Sequence, residues 1–267
     1  GGYLDIYDIR NCENNGQISG GNSTAGLLGY VMCSANIINC RNNGNIDCTN
    51  SYRTGGIVAT LTDDGNRQKP APRYNIINTN NYAGFIENVK STSTSGAIGG
   101  LIAYARCLNI NVDNCNNYGK EINVVKGYVG GLFGEISSES GEISIKKSNN
   151  YSNIAINYSQ TGYIWLGGLI GLLDSPDVGS INKIENCNNY GDFDLIGVHR
   201  AGGLIGHGPF LKELSLTNSN NYGNIDSING FELGGIFGQV QAKKEYLYKS
   251  KVVEVRWPVK QNKFLKN

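Results

Sequence analysis

Apolar and polar positions in this chain recur as a unit of roughly thirty to forty residues rather than with a helical period. Aliphatic side chains stand at Ile9, Ile37, Ile76, Val112, Ile145, Ile184 and Leu216, each followed three residues later by a small anchor: Cys12, Cys40, Thr79, Cys115, Ser148, Cys187 and Ser219. A second apolar row follows six residues after the anchor, or seven in the fourth copy, at Ile18, Ile46, Phe85, Ile122, Ile154, Phe193 and Ile225. A third lies in Gly-led patches such as Gly55-Gly56-Ile57-Val58-Ala59, Gly99-Gly100-Leu101-Ile102-Ala103 and Gly130-Gly131-Leu132-Phe133-Gly134. Each unit therefore offers three short apolar stretches separated by turn residues, and none is long enough or suitably spaced for a helix.

The polar positions are as regular as the apolar ones. Two residues after every anchor stands an Asn: Asn14, Asn42, Asn81, Asn117, Asn150, Asn189 and Asn221. The next residue is Asn15 or Asn43 in the first two copies and Tyr82, Tyr118, Tyr151, Tyr190 or Tyr222 thereafter, followed by Gly, Ala or Ser. Asn close to Gly is turn chemistry, because both tolerate positive φ and the Asn amide can bond its own backbone.

One unit alone could bury none of its rows, whereas stacked units bury all of them. The pattern predicts an all-β fold, a right-handed parallel β-solenoid (β-helix) of about seven three-stranded coils over residues 1–240, followed by a basic cap strand or linker over 241–267. Stacking places like residues about 4.8 Å apart, so the Asn column is expected to form a ladder of amide hydrogen bonds. The Tyr column is expected to stack with partial exposure, making its rings candidate ligand-facing aromatics. Variation in repeat length falls in loops, the longest being the insert at 60–75 with Asp63, Asp64 and Pro70.

Composition agrees with this reading and narrows it. Gly supplies 37 of 267 residues, Pro only 5, and charged residues 17%, which suits turn-rich β structure. The net charge of +1 conceals a tail of net +6 over 241–267 and an array of net −5 over 1–240. An acidic array lacks the basic stripe that neutralises phosphates, so nucleic-acid binding is not expected. No apolar run reaches membrane-spanning length, and the start carries neither an initiator Met nor a charged and apolar leader, so neither membrane insertion nor a signal peptide is expected and the chain reads as part of something longer.

The run Asn-Cys-x-Asn-Tyr-Gly-x-Ile, a gap, then Gly-Gly-Leu-Ile-Gly resembles the GLUG-type repeats of bacterial and protist surface proteins, including noncatalytic regions of immunoglobulin A proteases and adhesins. The resemblance covers residues 6–240. It implies surface scaffolding but no peptidase activity, since no His-Glu-x-x-His motif is present.

Candidate chemistry outside the repeat is sparse. Four of the seven Cys occupy the anchor, where Ser and Thr replace them in other copies, which points to packing; rung spacing would also permit a Cys12–Cys40 disulfide under oxidising conditions. Cys33, Cys48 and Cys107 lie off that column, and without a Cys-x-x-Cys pair zinc is not expected. His199 and His207 flank the sixth Gly-Gly near Asp192 and Asp194, without helical ligand spacing. Acid pairs such as Asp63–Asp64 and Asp174–Asp177 read as solvated turns rather than calcium ligands. No Gly-rich patch is followed by the Lys-Ser or Lys-Thr of a phosphate loop. No cofactor or metal is expected. Sequons at Asn22, Asn150 and Asn157 are weak signs of secretion.

Three functions follow as expectations. The first is a noncatalytic extracellular or cell-surface module, an adhesin-like stalk or scaffold for a host protein or glycan, within a larger chain or assembly. The second is a carbohydrate-active β-helix enzyme using Asp192, Asp194 and His199. The third is a structural filament or sheath component.

Overall fold

In a computed structural model the chain is described over residues 6–241, apart from 63–71, 89–95, 108, 126, 139–140, 158–163, 176–180, 197–199, 210, 212 and 229. Asp63, Asp64, Asp177, His199 and the tail beyond Gln241 lie outside these residues. Every described element is a β-strand or bridge, and every pairing is parallel, as in a β-solenoid.

The anchor-proximal strands form a seven-stranded sheet: Ile6–Arg10, Ser34–Ile38, Arg73–Ile77, Asn109–Asp113, Glu142–Lys146, Ile181–Glu185 and Leu214–Thr217. Its register pairs Ile9, Ile37, Ile76, Val112, Ile145, Ile184 and Leu216 in succession, which is the first apolar row. The chain then turns at residues with positive φ, Asn11, Asn39, Asn78, Asn114, Lys147, Asn186 and Asn218. A two-residue ribbon carrying the Asn column follows, either as short strands or as the isolated bridges at Asn117 and Asn150.

The third sheet has twelve strands, because each turn bends through two limbs. Early in the chain both limbs are one long strand, Ile18–Ala25 or Ile46–Gly55; later they separate, as in Glu121–Val124 followed by Gly127–Gly130. The second apolar row lies on the first limb, with one correction: the partner of Ile46 and Ile122 is Ile86, not Phe85, which pairs with Glu121. The third copy, like the fourth, has one extra residue in its turn, Gly84 after Ala83, which moves the inward position along by one. The fourth sheet comprises Leu28–Val31, Val58–Leu61, Ile102–Cys107, Phe133–Ser138, Ile170–Asp174, Ile205–Pro209 and Phe237–Gln241.

The bend in the third sheet divides the interior. One core lies between the first and fourth sheets and includes Ile37, Ile76, Val112, Ile145 and Ile184 with Leu101, Leu132, Leu169 and Leu204. The other lies within the bend of the third sheet and includes Ile46, Ile86, Ile122, Ile154 and Phe193 with Ile98, Val129 and Leu166. The waist between them is where the Asn column meets the Gly-Gly pairs. A Cβ on Gly131 would collide with the Gly168 carbonyl and the Asn150 side chain, and one on Gly100 with Gly131 and Asn117. The repeated Asn and the repeated second Gly are thus two halves of one contact.

Lys147 is the one member of the positive-φ turn column that is not Asn, at φ 48°. A long side chain has no local hydrogen bond with which to offset that conformation. Lys147→Asn is expected to stabilise the fold by about 0.5–1 kcal/mol, read as a rise of a few degrees in Tm.

Candidate functional site

The Asn column is a complete hydrogen-bond ladder. Nδ2 of Asn14, Asn42, Asn81, Asn117, Asn150 and Asn189 each donates to Oδ1 of the next member, at 2.8–2.9 Å. Asn150 Nδ2 also donates to the Ser152 carbonyl at 2.9 Å, and its Oδ1 accepts from the Ser152 N–H at 3.2 Å. Two donors and two acceptor sites are all used, as an amide buried at 0% exposure requires. This column is structural. A second ladder runs beside it, Asn116 to Asn80, Asn149 to Asn116, Asn188 to Asn149 and Asn220 to Asn188, at 3.0–3.2 Å.

The tyrosines stack outside these ladders, with successive ring centroids of Tyr82, Tyr118, Tyr151, Tyr190 and Tyr222 4.9–5.0 Å apart. All five are exposed. Stacking spends the ring faces on one another, so the column presents mainly ring edges and hydroxyls to a ligand.

The anchors share a hydrogen-bonding role that explains their interchange. Cys115 Sγ donates to the Asp113 carbonyl at 3.3 Å, as Ser148 Oγ does to Lys146 at 2.7 Å, and the N–H of Cys115 donates to Ser148 Oγ at 3.0 Å. Cys12 and Cys40 are free thiols and are not bridged. Burial pushes the thiols of Cys107, Cys115 and Cys187 up to about 12. Thiolate, the reactive form, is therefore suppressed. A thiol-reactive dye should label exposed Cys12 quickly and half-buried Cys33 slowly, and the other five only after denaturation.

Of the polar cluster nominated from sequence, His199 lies outside the described residues, and Asp192, Asp194 and His207 each have their own surroundings. Asp192 sits in a turn, where its Oδ1 accepts from the backbone and side-chain nitrogens of Asn224 at 2.8 and 3.1 Å. Asp194 is exposed on the third sheet, paired in register with Asp226 and Ala155. His207 belongs to the fourth sheet and faces other residues. Of the sequons, Asn150 is locked inside the ladder and Asn22 is exposed at a positive-φ position.

A different cluster does assemble, where the second limb of the third sheet turns through Gly-Gly into the fourth sheet. Side chains two residues before the first Gly, or before Ala25 in the first copy, form a column: Ser23, Arg53, Ala97, Tyr128, Trp165, Arg200 and Glu232. Those four after the second Gly form another: Tyr30, Thr60, Tyr104, Glu135, Leu172, His207 and Gln239. Alternation points both columns away from the cores, and they meet in a re-entrant seam along the solenoid. Ser23 and Thr60 share a hydrogen bond of 3.3 Å, and the Arg53 guanidinium lies 3.7 Å from the Tyr104 ring centroid. Trp165 stacks on Tyr128 at 4.8 Å and meets the His207 ring at 4.5 Å, tilted by 54°. Arg200 ion-pairs with Glu232, and Gln239 Nε2 donates to Glu232 at 3.3 Å.

Ionisation in the seam is perturbed. Burial, reinforced by the negative Asp174 and opposed by Arg53, raises the Glu135 carboxyl to about 7. Burial, with Glu135 adding to it, pushes the Tyr128 phenol up to about 12. Burial and then Arg200 push His207 down to about 4, so it is neutral at neutral pH. Because Glu135 titrates higher in the folded chain than when unfolded, its contribution to stability is fully present in acid and is lost as pH rises from its ordinary value of 4.5 through about 7. Glu135→Gln should therefore stabilise by about 1–3 kcal/mol near pH 8 yet change little near pH 4, as thermal melts at the two pH values will read.

Among the described residues no group of three or more His, Cys, Asp or Glu is placed to hold a metal ion. No helix among them is long and apolar enough to cross a membrane. Compared with protein-family models, curated proteins and solved structures, the chain matches none.

Proposed function

We propose that this chain is a noncatalytic repeat module of a cell-surface or secreted protein, a rigid scaffold that holds a host protein or glycan along its seam. The observation that carries this reading is the seam itself. Non-repeating Arg, Tyr, Trp, Glu and His side chains converge there on a backbone fixed by satisfied ladders, which is the preorganised arrangement binding favours. The resemblance of the repeat to GLUG-type repeats supports a surface or secreted setting.

A second reading, a carbohydrate-active enzyme, is favoured by Glu135, whose carboxyl is raised by burial to about 7, where a general acid is still protonated near neutral pH. The two are separated by incubating the protein with polysaccharide and peptide panels and measuring new reducing ends and new amino termini. The scaffold reading expects no turnover. Turnover abolished by Glu135→Gln would replace it with the enzyme reading.

A further inference from the structure

The seam contains polar atoms that the protein itself leaves without a partner. Trp165 Nε1, His207 Nδ1 and Arg53 Nε are buried, and none makes a hydrogen bond. An unmet buried donor or acceptor destabilises a fold, and a fold that satisfies the amides of its Asn column has no general difficulty with such atoms. Two of the three belong to touching rings, Trp165 and His207, and His207 is only 5% exposed.

The hydrogen-bonding sense of each nitrogen follows from its surroundings. Trp165 Nε1–H can only donate. Burial holds His207 neutral at neutral pH, so one ring nitrogen carries the proton and the other a lone pair, and the Gln239 backbone acts on the ring in the sense that favours a proton. We assign the proton to Nε2, toward the Gln239 backbone, which leaves Nδ1, the nitrogen without a partner, as the acceptor. The corner therefore presents one donor and one acceptor. A hydroxyl oxygen supplies both complements from a single atom, whereas a carboxylate or phosphate would meet the His207 lone pair with negative charge.

We propose that the Trp165–His207 corner of the seam is a glycan subsite that grips one sugar hydroxyl, which accepts from Trp165 Nε1–H and donates to His207 Nδ1. The neighbouring groups suit a sugar. Tyr128 and Trp165 supply aromatic surface, while the Arg200–Glu232 pair and Gln239 offer further donors and acceptors. This deepens the scaffold reading and rests on it, by choosing glycan over host protein as the ligand and assigning its contact.

The test uses Trp165 as its own reporter. The chain has two Trp, so a Trp257→Phe background isolates its emission. Titration with soluble xylan, β-1,3-glucan, polygalacturonate and N-acetyllactosamine oligosaccharides should give a saturable emission change with at least one of them. His207→Phe should weaken that binding by about tenfold, the worth of one hydrogen bond, while His207→Gln, which keeps an acceptor, should stay close to the parent. Trp165→Phe, which keeps an aromatic ring and loses only the donor, should show a similar loss by calorimetry, with circular dichroism confirming the fold. If no probe titrates, or if both Phe variants bind like the parent, the corner holds at most a buried water and the proposal is overturned. Failure here with retained binding to a host-protein array would leave the scaffold reading standing; glycan binding accompanied by turnover would remove that reading and keep the subsite.

Discussion

Ile184→Asp is expected to abolish the cooperative melt of the C-terminal part of the array, at a cost of about 4–6 kcal/mol. Ile184 is fully buried in the first sheet, paired with Ile145 on one side and Leu216 on the other, within the larger core. The substitution removes most of an aliphatic side chain, which alone costs about 2–4 kcal/mol, and places a carboxyl where neither neighbouring rung offers a cation. The carboxyl will resist ionisation, so the penalty should be larger near pH 7 than near pH 4. Because each repeat contacts only its neighbours, the damage should spread along the array from the sixth rung instead of dissolving it uniformly. Hydrogen exchange should show lost protection around residues 181–241 before residues 34–124, and Ile184→Val should cost only about 1 kcal/mol. A wild-type melting curve for the Asp variant would remove Ile184 from the core.

Asn117→Ala should come next in severity, at about 3–5 kcal/mol. Asn117 accepts from Asn81 Nδ2 at 2.9 Å and from the Gly119 N–H at 3.2 Å, and donates to Asn150 Oδ1 at 2.9 Å. Truncation leaves each of those three groups buried without its bond and opens a void against Gly100 at the waist. Asn117→Asp keeps the shape but points oxygen at Asn150 Oδ1, so it should be no milder. The same change at the first member, Asn14, breaks a ladder bond on one side only and beside solvent, so Asn14→Ala should cost about 1 kcal/mol. Equal losses at Asn14 and Asn117 would mean that the ladder adds nothing beyond each amide's own turn.

What was legible in the sequence was what repeats. Ile37, Ile76 and Ile184 announce an inward column because stacking requires like above like, and the invariant Asn is visible because an amide ladder tolerates no gap. Phe85 holds the position that the repeat spacing marks as inward, but one extra turn residue, Gly84, shifts that role to Ile86. The bend that splits the core was hidden, since Ile18–Ala25 and Ile46–Gly55 run through it as continuous strands. The seam is invisible to periodicity for a related reason. Tyr128, Trp165 and Arg200 share one position, and Glu135 and His207 another, but their identities change from copy to copy, so periodicity treats them as noise. The available signal was positional: the sites two before the first Gly and four after the second vary strongly beside invariant neighbours.

The direction of the Asn ladder has a consequence for assembly. Every link runs the same way, from the amide nitrogen of one rung to the amide oxygen of the next, beginning at Asn14 and ending at Asn221. The column is therefore a wire with unlike terminals: lone-pair oxygen at Asn14 and N–H at Asn221. A further rung, from this chain or another, can extend it only head to tail. Two copies meeting by their matching ends would set oxygen against oxygen or hydrogen against hydrogen. The amide that fixes the register inside the molecule thus also fixes the polarity with which anything can be added to it.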